Sequence, residues 1–169
     1  SLNNLNVSAT DGLGIDLSML SGSLTQYTAQ NATMTSIDLS GCAVLATLDV
    51  SGCTNLTTLN VTNCTSLTSI IGLDTLVALE NLVATGSGLT NIDASLLTNL
   101  STIDVDNMSN LESLNISNTK VTILDVSTLT ELSTLEAKKC TALTSLELTD
   151  SNTFTDLDIS DCTNITEID

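Results

Sequence analysis

The segment LATLDVSGCTN places apolar residues at positions 1, 4, 6 and 9 of an eleven-residue unit, Leu45, Leu48, Val50 and Cys53, and polar residues at positions 3 and 5. The next eleven residues, LTTLNVTNCTS, repeat the arrangement at Leu56, Leu59, Val61 and Cys64. Positions 3 to 6 alternate with the two-residue period of a strand, so Leu and Val point one way while Thr and Asp or Asn point the other. Gly, Asn and Ser at positions 7 to 10 predict a turn. No unit carries helical spacing over the ten or so residues that a stable helix needs.

Aligned on its leucines, nearly the whole chain divides into such units, from LNNLNVSATD at Leu2 to ITEID at Ile165. Self-similarity at a fixed period predicts a solenoid, in which each unit buries its apolar side only by stacking on its neighbours. The length variants set the size of one coil. A twelve-residue unit at Gly12 is followed by a ten-residue unit at Leu24, and a twelve at Leu67 by a ten at Leu79, so both excursions restore a sum of 22. The expected fold is therefore a right-handed β-solenoid with about 22 residues and two strands per coil, two parallel sheets, little or no helix, and between seven and eight coils. Residues 1–169 form one repeat domain on this reading, and a chain that starts and stops inside the repeat is expected to be a segment of a longer protein.

The pattern LxxLxLxxCxxL, in Leu45, Leu48, Val50, Cys53 and Leu56 and again in Leu132, Leu135, Ala137, Cys140 and Leu143, resembles the conserved segment of leucine-rich repeats in their cysteine-bearing form. Units reading LTxLDVSxxT in both halves of a 21- to 22-residue repeat most resemble bacterial surface proteins of the internalin type. That resemblance implies an extracellular or cell-surface module and leaves the ligand open, since one repeat fold serves many partners. Position 9 departs from the family pattern at Leu97, Met108, Leu129 and Ser151, where the turns must be satisfied without an Asn or Cys ladder.

Composition sharpens the picture. The chain has one Phe, one Tyr and no Trp, Pro or His, so the core must be thin and regular. Twenty acids against three lysines give a net charge of −17, which argues against nucleic acid and anionic bilayers as partners. Apolar runs are only a few residues long, too short to span a membrane.

Five cysteines are an odd number, and stacked strands hold side chains about 4.8 Å apart, wider than a disulfide wants. Buried free thiols are expected, with Cys42 stacked on Cys64 and Cys140 on Cys162. Without His or a close Cys pair no metal or catalytic centre is expected, and the chain is read as a non-enzyme. The outward strand positions are the candidate binding residues: Thr47, Asp49, Asp93, Asp104, Asp125, Glu136, Glu147 and Asp158. Stacked acids repel; a cofactor is not expected, but calcium is the ion that would relieve them, first where Asp104 adjoins Asp125. The expected function is adhesion or binding to protein or glycan through these columns. Two alternatives are a structural subunit that stacks end to end through uncapped coils, and an ice-binding surface built on the threonines of position 2.

Overall fold

In the computed structural model the described residues are 2–9, 17, 20–148 and 154–169. Ser151 and most of the unit at Gly12 lie outside them. Among the described residues fifteen strands of two or three residues follow one another, each centred on position 4 of a unit. From β2 onward they fall alternately into two columns. The first holds β1 (Asn4–Asn6), β2 (Gln26–Thr28), β4 (Thr47–Asp49), β6 (Ile70–Ile71), β8 (Asn91–Asp93), β10 (Ser113–Asn115), β12 (Thr134–Glu136) and β14 (Asp156–Asp158). The second holds β3 (Ser36–Asp38), β5 (Thr58–Asn60), β7 (Asn81–Val83), β9 (Thr102–Asp104), β11 (Ile123–Asp125), β13 (Ser145–Glu147) and β15 (Glu167–Ile168).

All pairing is parallel; β1 joins β2, and from β2 onward every second strand is joined, so one coil comprises two units. Partners lie 22 residues apart for Asn4 and Gln26, 21 for Gln26 and Thr47, and 23 for Thr58 and Asn81, which is the predicted period. The β-solenoid of about seven turns, with parallel sheets and almost no helix, is thus observed. One 3-10 turn, Leu73–Thr75, follows β6.

The apolar positions fill the interior. Leu45, Leu48, Val50, Leu56, Leu59 and Val61 are fully buried, as are most of their equivalents through the central coils, Ile70 being only partly covered. Burying each such side chain stabilises the coil by about 1.5–3 kcal/mol. The thiols complete the inner wall. All five cysteines are free, and Cys162 alone is only partly buried. From position 9 the Sγ atoms of Cys53, Cys64 and Cys140 donate to the carbonyls of Ala29, Leu39 and Ile116 in the preceding coil, at 2.7, 3.1 and 3.0 Å. Burial, with the neighbouring Cys42 adding to it, pushes the Cys64 thiol up to about 12, so it stays protonated and able to donate.

Each column is interrupted once, a feature the repeat period does not predict. Hydrogen-bonded sheets run β1-β2-β4-β6 and β8-β10-β12-β14 in the first column, and β3-β5-β7-β9 and β11-β13-β15 in the second. The gap after β6 coincides with the twelve-residue unit. There Gly72 occupies position 6 with φ of +81, and a Cβ at that point would run into the Ser51 backbone. The chain swings into its 3-10 turn, and Leu73 takes up an inward position instead. The two gaps are staggered: β5-β7-β9 is continuous beside the first, and β8-β10-β12 beside the second.

Candidate functional site

Strand alternation turns positions 3 and 5 outward, and the register stacks them. In the first column Asp93, Asn115, Glu136 and Asp158 are direct neighbours on successive strands, and Asp49 adjoins Ile71. In the second, Asp38, Asn60, Val83 and Asp104 form one run, and Asp125 adjoins Glu147. The eight candidate residues therefore do not form one site. Thr47, Asp49, Asp93, Glu136 and Asp158 belong to one column, and Asp104, Asp125 and Glu147 to the other.

Most of these acids have a local task that the strand pattern alone does not reveal. The side-chain oxygen at position 5 accepts the backbone N–H two residues on, at 2.8 to 3.2 Å, for Asp38, Asp49, Asn60, Asp93, Asp104, Asn115, Asp125 and Asp158. Each bond is an Asx turn that closes the end of a strand. The signal was present as Asp or Asn followed two residues later by Ser or Thr, in DVS, NVT, DAS and NIS. Burial works to raise the Asp49 carboxyl, but the hydroxyl and N–H of Ser51 and the Gln30 amide, 2.6 Å away, hold it below its ordinary value. Glu136 instead accepts from Lys138 at 3.1 Å, and the same ammonium lies 3.3 Å from Asp158.

Several threonines at position 2 are also occupied. The hydroxyls of Thr57, Thr144 and Thr166 donate to the carbonyls of Thr35, Thr122 and Thr144, each 22 residues earlier. They knit coil to coil, which removes donors that an ice-ordering surface would present to water.

Pockets open at the two interruptions. The first, about 270 Å³, lies beside the gap between β6 and β8 and is lined by Ser69, Ile70, Leu73, Asp74, Leu89, Asn91 and Asp93. The second, about 210 Å³, lies where β9 and β11 fail to pair, and Asp104, Asp106 and Asp125 share its wall with Ile103, Val105 and Ile123. Burial, followed by the Asp104 and Asp125 charges, raises the Asp106 carboxyl. Sequence reasoning singled out Asp104 and Asp125 but missed Asp106, which stands at a turn position. Among the described residues no three acids or thiols come together in an arrangement suited to a metal ion. Among them, too, no helix is long and apolar enough to cross a membrane.

A family model described as "Plant disease resistance protein RPS2-like, leucine-rich repeats" matches residues 19–163. A comparison with curated proteins returned no match. Among solved structures, the functional domain of InlJ from Listeria monocytogenes, described as including a cysteine ladder, is similar at 22% identity and a TM-score of 0.33 over 87% of this chain and 39% of that one. An internalin, InlF, also from Listeria monocytogenes, is similar at 20% identity and a TM-score of 0.33 over 99% of this chain and 60% of that one. The chain thus spans less than two thirds of either neighbour.

Proposed function

This chain belongs to the leucine-rich-repeat family, and we propose that within it the chain is a non-enzymatic module that binds a protein through the outward face of its first strand column. The observation that carries the reading is the in-register sheet β8-β10-β12-β14, which sets Asn91, Ser113, Thr134 and Asp156 beside Asp93, Asn115, Glu136 and Asp158 as a continuous polar surface. Main-chain groups between the strands of this sheet are paired, so recognition across its face falls to these side chains. The setting is the cell surface or the extracellular medium, where a net charge of −17 keeps the rod from associating with itself. Buried thiols with raised pKa, as at Cys42, Cys53 and Cys64, resist oxidation there because little thiolate is available to react.

A displayed library of extracellular domains, selected on the intact chain, tests the reading. The binders are then measured against Ser113→Arg/Thr134→Arg, which adds bulk to the face without touching a turn. Loss of binding with an unchanged circular dichroism spectrum is the expected result. Binders indifferent to that variant, or a selection that yields none, would overturn the reading.

A further inference from the structure

The pocket beside the gap between β6 and β8 differs from the continuously paired parts of the outward surface. Where the ladder is unbroken the strands present mainly Thr, Ser, Asn and Asp in register; at this gap the interrupted ladder exposes a recess whose wall includes Ile70, Leu73 and Leu89. Asp74, in the 3-10 turn, and Asp93, on β8, belong to the same wall. Among the described residues no cation pairs with these two carboxylates. The three lysines are Lys120, Lys138 and Lys139. Lys120 donates to the Asn99 side chain at 2.8 Å, and both ion pairs among the described residues belong to Lys138, with Glu136 and Asp158. The recess therefore combines an apolar wall with uncompensated negative charge. An occupant complementary to both has a hydrocarbon stem ending in a cation.

We propose that this pocket takes a lysine side chain from a basic segment of the protein partner, the methylenes lying against Ile70, Leu73 and Leu89 and the ammonium between Asp74 and Asp93. The inference rests on the protein-binding reading above and adds the chemistry of the partner. The volume of about 270 Å³ accommodates one extended side chain and not a folded element. The overall charge of −17 draws basic segments to the rod, while the pocket fixes where along it one of them stops.

The test is a titration of the isotope-labelled chain with Nα-acetyl-lysine methylamide, followed through backbone amide shifts at low salt. Nα-acetyl-norleucine methylamide supplies the stem without the charge, and methylammonium the charge without the stem. Saturable shifts centred on residues 69–74 and 89–93 are expected with the lysine analogue and much weaker ones with either control. Asp74→Asn/Asp93→Asn should weaken binding roughly tenfold, and Asn at 93 can still close its turn. Shifts spread evenly along the acid columns, equal shifts with norleucine, or equal weakening by Glu147→Gln on the other column would each overturn the pocket. The selected binders separate the two levels. If Asp74→Asn/Asp93→Asn leaves their affinity unchanged while Ser113→Arg/Thr134→Arg abolishes it, the pocket falls and the binding face stands. If neither variant matters, both fall.

Discussion

Position 9 of the repeat is occupied in two ways. In the coils of Cys42, Cys53 and Cys64 the preceding residues, Gly41, Gly52 and Asn63, have left-handed backbone, and Cys53 and Cys64 reach a carbonyl of the coil before. In the units of Leu97 and Leu129 the preceding residues are Leu96 and Thr128, neither of them in that conformation, and the leucines are fully buried. The two backbone paths present different slots, although the left-handed Asn107 still precedes the fully buried Met108. In the thiol units Gly or Asn tolerates the left-handed turn that presents a small hydrogen-bonding group, whereas in the units of Leu97 and Leu129 a large apolar side chain fills the wall.

Emptying the apolar slot breaks this comparison most severely. Leu129→Ala should cost about 2–5 kcal/mol, read from denaturant unfolding, because the stacked coils on either side limit collapse into the cavity. The reverse exchange, Cys64→Leu, should cost about 1–3 kcal/mol by overpacking a slot built for a thiol. A neutral outcome there would show that the turn does not set the size of the slot. The strand-end carboxylate is common to both kinds of unit and sharpens the comparison. Asp125→Ala, which loses the N–H and hydroxyl of Ser127 at 2.8 and 2.6 Å, should cost about 1 kcal/mol, as should Asp49→Ala in a thiol unit. Unequal losses would place the difference between the units at position 5 instead.

Acid titration gives the smallest effect and the clearest sign. Asp49 is held below its ordinary value of 3.8, so the stability it contributes is present above the unfolded-state pKa and is lost as the pH falls through the folded one. Asp106 is raised, so its contribution is full below the unfolded-state pKa and is lost as the pH rises through the folded one. Melting curves at several pH values should show Asp49→Asn flattening the acid limb. Asp106→Asn should raise the melting temperature near neutrality and lose that advantage in acid.

Much of this was legible in the residues. The buried Leu48, Leu59 and Leu82 follow from two-residue alternation, and the stacking of Asp93 on Asn115 follows from a period of 22. The interruptions were not legible, because a repeat length states which residues stack and not whether their backbones bond. Ile123 illustrates the limit. It holds a regular strand position, yet it is 59% exposed beside three carboxylates at a gap flanked by the ten-residue unit 111–120, a shortening that by itself does not state that pairing is lost. The work of the position-5 acids was missed for another reason: an outward carboxylate that accepts its own chain's N–H has the same alternation as one facing only water.

The stagger of the two interruptions has a mechanical consequence. Hydrogen bonds between coils run along the axis of the rod, so a pull on its ends loads both strand columns in parallel. At each gap one of the two load paths loses its strand pairing and the other carries most of the tension, β5-β7-β9 in one case and β8-β10-β12 in the other. A tethered rod of this kind should yield at those two cross-sections in separate steps rather than by continuous unzipping from an end, and the lower of its two yield forces sets how hard a bound partner can be pulled before the scaffold gives way.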